Sequence, residues 1–205
     1  MLDHIVFAVP HLAAAAAQFT ELTGVSPTPG GSHAGIGTAN YLIGLGEDAY
    51  LEIIGPDPAQ PTPPHPRPFG IDELTATRVV TWAIHPADLD HCIEVARARG
   101  YEPGSPRAMS RSTPHGEVLH WRLTPPNFTI GHGLVPFLID WGGTLPPPSR
   151  GLPVIPLAGF EASHPAPDSV RAALAALGAD LAVRAGNRAG LTVVLDGRHG
   201  LVVLT

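Results

Sequence analysis

Glu52 stands in the run AYLEIIG, residues 49–55, where Tyr50, Leu51, Ile53 and Ile54 all favour burial. A carboxylate among such neighbours is costly unless it is paired, ligating or catalytic. Desolvation raises a carboxyl pKa, which suits a general base. His4, in LDHIVFAV at residues 2–9, is the second candidate, an imidazole able to ligate a metal or carry a proton near neutral pH. The alternative for His4 is a histidine satisfied by one hydrogen bond inside a strand. Side chains alternate along a strand, so His4, Val6 and Ala8 are expected to face a cavity together with Tyr50, Glu52 and Ile54. Ile5, Phe7, Val9, Leu51 and Ile53 then pack the opposite way, against helices.

His33 and Asn40 fall in GGSHAGIGTAN, residues 30–40, a glycine-rich loop ahead of a strand. Read from the residues alone, His33 is either functional or part of a flexible turn with a solvated imidazole. The glycines precede a strand rather than a helix and lack the phosphate-loop spacing. Arg111, with Trp121 in EVLHWRLT (117–124), suits a carboxylate or enolate substrate bound by bidentate hydrogen bonds beside an aromatic wall. A surface arginine on a loop is the alternative, and is the reading for Arg122. Trp82 and Trp141 are assigned to the core. His85 and His164, each before a proline, are assigned to structural corners. Cys92 has no neighbouring base and no nucleophilic role.

These residues must be positioned by a pattern that occurs three times. A strand (2–9) leads to a helix (12–22) with the apolar stripe Leu12, Ala15, Ala16, Phe19, Leu22 and the stop Gly24. Two further strands, YLIGLG and AYLEIIG, form a hairpin through Glu47-Asp48. VVTWAI (79–84), a helix from Asp88 to Arg99, EVLHWRLT and GLVPFLIDW (133–141) repeat the scheme. AGFEAS (158–163), a helix from Ser169 with Asp168 as its cap, LAVRA, LTVVL and GLVVLT repeat it again. His85-Pro86 and His164-Pro165 occupy the same place in their units. The expected fold class is α+β, with mixed curved sheets of βαβββ modules around a partly open cavity. Residues 1–145 form a pair of modules, and residues 152–205 a third packed on that pair. Pro56 to Pro68 and Thr144 to Pro156 are expected as extended surface connections.

The chain has 205 residues and formal net charge −6, and all 12 basic residues are scattered arginines, so nucleic-acid binding is not expected. No apolar run reaches membrane-spanning length, and the N-terminus reads as a strand rather than a leader. One cysteine excludes an internal disulfide and suits the cytoplasm.

LDHIVFAVPHL, HAGIGTANYLIGLG, AYLEIIG and PFLIDWG together resemble the glyoxalase-like domain branch of the vicinal oxygen chelate superfamily. The resemblance covers roughly the first 140 residues by motif order and spacing, and it implies that the segment with His33 and Asn40 lines the cavity mouth, where both residues would touch substrate. It implies two modules pairing around a U-shaped cavity, with a divalent metal held by a first-strand His and a last-strand Glu of each module, here His4 and Glu52. Module two departs from that pattern. Its first-strand position falls on Val80 or Thr81 and its last-strand position near Pro136 or Leu138, with Asp140 the nearest carboxylate for a third ligand. Module three offers Gly159 or Phe160 and Val202 or Val203. A tight divalent site needs at least three protein ligands, so the set is incomplete.

Three functions remain open. The first is an enzyme of lyase or isomerase type acting on a small oxygen-rich or anionic molecule, with Glu52 as base or ligand, His4 as ligand or partner and Arg111 as anchor. The second is a protein that binds or sequesters a small molecule without chemistry. The third is a structural partner or homodimer paired through its odd module.

Overall fold

The computed structural model describes all residues except Glu47, Asn127, Thr129 and Ile130. Glu47 of the expected hairpin turn is thus outside the described residues, but the strands on either side of it pair as expected.

The first unit comprises β1 (Leu2–Ala8), α1 (Leu12–Thr23), β2 (Thr28–His33), β3 (Thr38–Gly46) and β4 (Ala49–Pro56). The second comprises β5 (Arg78–Ile84), α2 (Leu89–Ala98), β6 (Arg107–Ser112), β7 (Val118–Leu123) and β8 (Phe137–Asp140). Each sheet runs first strand, last strand, third, second, and the two join as β1-β4-β3-β2-β6-β7-β8-β5. The eight strands close into a barrel around the expected cavity. One seam is the long antiparallel pairing of β1 with β5. The other is the single pair Ser32–Ser112 between β2 and β6.

Alternation divides the apolar residues as expected. Ile5, Phe7, Val9, Leu51 and Ile53 join the helices in one buried cluster, while Val6, Ala8, Tyr50 and Ile54 belong to another inside the barrel. α1 is an alanine-rich helix stopped at left-handed Gly24, whose N–H donates to the Thr20 carbonyl at 2.8 Å. Its stripe ends differently from the sequence reading: Leu22 is 57% exposed, and Thr23 is buried in its place, donating its hydroxyl to the Phe19 carbonyl at 2.7 Å. α2 is capped by Asp88, which accepts from the His91 N–H at 2.9 Å.

β2 and β6 are absent from the sequence reading. The β2 segment, TPGGSH, places two glycines where neighbours press close. A Cβ on Gly30 would lie 2.2 Å from Asn40 Oδ1, and one on Gly31, at φ +133°, would lie 1.9 Å from the Ser112 carbonyl oxygen. Glycine there is what lets the second seam close. Gly31→Ala is therefore expected to cost about 3 kcal/mol, read as a shift in urea midpoint. Unchanged stability would mean that the seam does not depend on this close approach.

The third unit is β9 (Leu157–His164), α3 (Pro167–Leu177), β10 (Ala182–Ala185), β11 (Gly190–Gly197) and β12 (Gly200–Leu204). Its element order repeats the first two units but its sheet does not, running β10-β9-β11-β12 with β9 between two partners. α3 begins on Pro167 with Ala166 as cap, so Asp168 lies in the first turn instead of capping. Leu191, Val193 and Leu195 share one buried cluster with the helices and the outer barrel face, and Trp82 meets Phe160 edge-on at 5.3 Å.

The proline-rich connections do more than link. Pro66, Pro68 and Phe69 lie over the barrel cavity. Around Val154 the chain is pinned to β3: the Gly44 N–H donates to the Pro153 carbonyl at 2.8 Å, the Ile155 N–H donates to the Gly44 carbonyl at 2.9 Å, and Ile155 is fully buried.

Candidate active site

The barrel encloses a cavity of about 330 Å³, within the usual range for a small-molecule site. His4, His33, Asn40, Glu52, Arg111 and Trp121 all line it and all are at least nine-tenths buried. Glu52 reaches it from β4. Asn40 Nδ2, on adjacent β3, donates to Glu52 Oε1 at 2.6 Å. Two imidazoles flank the carboxylate: His4 Nε2 lies 3.9 Å from Oε2, and His33 Nε2 lies 4.0 Å from Oε1. His33 is on β2, buried, with Nδ1 3.0 Å from the Thr38 hydroxyl, so the solvated-turn alternative does not hold.

Asp3, absent from the sequence candidates, sets the orientation of His4. Leu2 pairs with Ile84 and His4 with Ala83, so the ladder carries an extra residue on β1 at Asp3. Such a bulge re-aims a side chain that strict alternation would send the other way. Asp3 Oδ1 accepts from His4 Nδ1 at 2.5 Å, and Oδ2 accepts from Trp141 Nε1 at 2.9 Å and His85 Nδ1 at 3.1 Å. Burial alone would raise the Asp3 carboxyl, but these hydrogen bonds outweigh it and hold the group well below the ordinary carboxylate range. An ionised carboxylate only accepts, so His4 carries a proton on Nδ1 and turns Nε2 toward Glu52. The ring also stacks on Tyr50 at 4.8 Å and meets Phe137 edge-on at 5.3 Å. The sequence signal for Asp3 was present, as an acid beside a histidine in an otherwise apolar strand.

The facing wall comes from the second unit. Arg111, on β6 and not on a loop, donates through Nη1 to the Gly30 carbonyl. Burial draws its pKa down, opposed by the attraction of Tyr50 and Glu52. Trp121 packs on Trp141 at 5.4 Å, and its Nε1–H is buried with no partner among the described residues. Trp141 belongs to the buried cluster inside the barrel, as expected, and also lines the cavity, whereas Trp82 lies in the outer cluster, its Nε1–H donating to the Leu134 carbonyl at 2.8 Å. Arg107 stands exposed at the mouth. Arg122 is an exposed residue paired with Asp140 and Asp90.

The divalent ion implied by the resemblance does not fit this donor set. Among the described residues no three His, Cys, Asp or Glu side chains converge to hold a metal. Asn40 already occupies one Glu52 oxygen. Asp140 is outside the cavity, its carboxylate taken by Arg122 at 2.9 Å and by the Gly142 N–H at 2.8 Å. The β8 register differs by one residue from the sequence reading: Phe137 and Ile139 face the cavity, while Leu138 joins the outer cluster.

Burial holds His33 below its ordinary value of 6.5, with Glu52 opposing and Arg111 assisting. The unfolded chain then takes up this proton first, so stability should fall as pH drops below about 6.5. The depressed Asp3 pKa gives stability that is present above about 3.9 and is lost as pH falls toward its folded value. Urea unfolding across pH 8 to 3 should therefore show a decline beginning near 6.5 and steepening below about 4. His33→Gln should flatten the first part, and an identical decline in that variant would refute the assignment.

The sequence model of the glyoxalase-like domain family matches residues 2–178, which span the barrel and extend through α3. A hypothetical protein from Staphylococcus aureus shares the fold over 100% of this chain and 98% of its own, at 12% identity and TM-score 0.72. A methylmalonyl-CoA epimerase from Mycobacterium tuberculosis aligns over 73% of this chain and 91% of its own, at 17% identity and TM-score 0.46. A Streptomyces coelicolor methylmalonyl-CoA epimerase in complex with 2-nitronate-propionyl-CoA aligns over 72% and 98%, at 18% identity and TM-score 0.46. No curated protein sequence matches the chain. No helix among the described residues is long and apolar enough to cross a membrane.

Proposed function

Since the chain belongs to the glyoxalase-like domain family, we propose that its barrel cavity binds a small carboxylated carbonyl compound and that Glu52 moves a proton on the carbon beside the carbonyl. One observation carries this reading: a buried carboxylate with an imidazole Nε2 at 3.9 Å on one side and 4.0 Å on the other, in a cavity whose other polar groups, Thr38, Asn40, Arg107 and Arg111, stand among aromatic and apolar side chains. Structural burial would call for a full ion pair, whereas Glu52 has one amide donor and two imidazoles beyond hydrogen-bond range.

The chemistry follows from the groups present. Glu52 takes the proton from the substrate C–H bond, and that electron pair passes through the new C=C bond onto the carbonyl oxygen to give an enolate. The unpartnered Trp121 Nε1–H supplies a hydrogen bond to that oxygen, and Arg111 supplies positive charge to the carboxylate. Return of the proton to the same carbon exchanges it, and return to a neighbouring atom isomerises the substrate. Asp3 fixes His4 so that its Nε2 faces the proton-bearing Glu52.

The test uses α-ketoisocaproate, which joins a carboxylate, a carbonyl and an apolar tail. In D2O the protein is expected to speed loss of the methylene proton signal next to the carbonyl at least about a hundredfold over buffer. Saturable binding with no exchange would instead leave the cavity a binding site without this chemistry.

A further inference from the structure

Every group on the described cavity wall able to accept a proton belongs to the first unit. His4 is on β1, His33 on β2, and Tyr50 and Glu52 on β4. Burial pushes the Tyr50 phenol well above its ordinary value, so it stays protonated on that same wall. The second unit faces them with Arg107, Arg111, Trp121 and Trp141 among apolar side chains, and among its described residues on the wall there is no carboxylate, imidazole or hydroxyl. Guanidinium and indole N–H groups donate hydrogen bonds without releasing the proton. Thr81, the second-unit hydroxyl left buried without a partner, is not on the cavity wall.

We propose that proton transfer in this protein is confined to one face of the substrate: Glu52 removes a proton and returns it to the side it came from, to the same carbon with retention or to a neighbouring atom on the same face, so the reaction is a one-faced isomerisation, not an epimerisation. Inversion at carbon needs a second acid across the planar enolate, where the polar groups among the described residues are hydrogen-bond donors that keep their protons. The division of labour follows the two halves of the barrel. One half exchanges protons, and the other binds the carboxylate and the enolate oxygen, which holds the enolate with a fixed face toward Glu52. The inference rests on Glu52 acting as the base.

The test compares isotope exchange with loss of configuration in one substrate. Wild-type protein is incubated in D2O with a single enantiomer of α-keto-β-methylvalerate, whose exchangeable hydrogen sits on the stereocentre beside the carbonyl. Deuterium uptake is followed by NMR and configuration by optical rotation, against a protein-free control. One-faced transfer replaces the hydrogen at least about tenfold faster than the optical rotation decays. Equal rates of exchange and racemisation would overturn the one-faced scheme while leaving Glu52 as base. No exchange above the control would overturn the base assignment and this inference with it.

Discussion

Glu52→Gln should abolish deuterium exchange into α-ketoisocaproate while leaving the barrel folded. The glutamine carbonyl still accepts from Asn40 Nδ2, now 2.6 Å from Glu52 Oε1, so the local hydrogen bond survives. What is lost is the ability to take a proton, and removing a positioned general base costs about 10²–10⁴-fold in rate. Stability should stay within about 1 kcal/mol or rise, because a buried charge without a full ion pair contributes little to folding. If Glu52 were instead one arm of a required buried pair, the same change would cost about 3–5 kcal/mol. Melting and exchange measured on the same samples separate the cases. A strongly destabilised variant with unchanged exchange per folded molecule would sink the catalytic reading.

Asp3→Asn is expected to damage both stability and rate. Asp3 is 1% exposed and accepts three donors, from His4, His85 and Trp141. An asparagine keeps one acceptor oxygen and turns an N–H₂ group toward donors it cannot satisfy, costing about 3 kcal/mol. It also donates to His4 Nδ1, which moves the imidazole proton to Nε2, the atom 3.9 Å from Glu52. A wrong tautomer beside the base should slow exchange by about 10²-fold or more. Nitrogen-15 NMR of the His4 ring reports the tautomer directly, so a positional effect is distinguished from loose packing. Wild-type ring shifts in a destabilised variant would show that Asp3 serves folding alone.

What could be read from the chain follows from which residues obey alternation. β1 and β4 carry apolar side chains on both faces, so His4 and Glu52 were visible against them and converge as expected. β2 and β6 were invisible for the opposite reason. Their segments, TPGGSH and RAMSRS, hold glycine, proline and arginine, because one faces a tight seam and the other turns Arg107, Met109 and Arg111 into the cavity. Hydrophobic periodicity cannot find a strand whose inward residues are functional. The direction of the Asp3 side chain was hidden by a single bulge, and the inward face of β8 by a one-residue register difference that exchanges Leu138 for Phe137 and Ile139. The third unit shows that a repeated element order does not determine strand order, since β9 lies between two strands of its own unit, whereas β1 and β5 each pair with one strand of their own unit and with each other.

The most direct measurement of the central claim is a crystal structure of the Glu52→Gln protein with α-ketoisocaproate. The expected result places the ligand inside the barrel, with its carboxylate on the Arg111 side and its carbonyl oxygen within hydrogen-bond range of Trp121 Nε1. Its methylene carbon should lie about 3–3.5 Å from the substituted side chain at position 52, the separation a proton transfer requires. A ligand bound outside the barrel, or one whose methylene carbon turns toward the aromatic wall and away from position 52, would contradict the account.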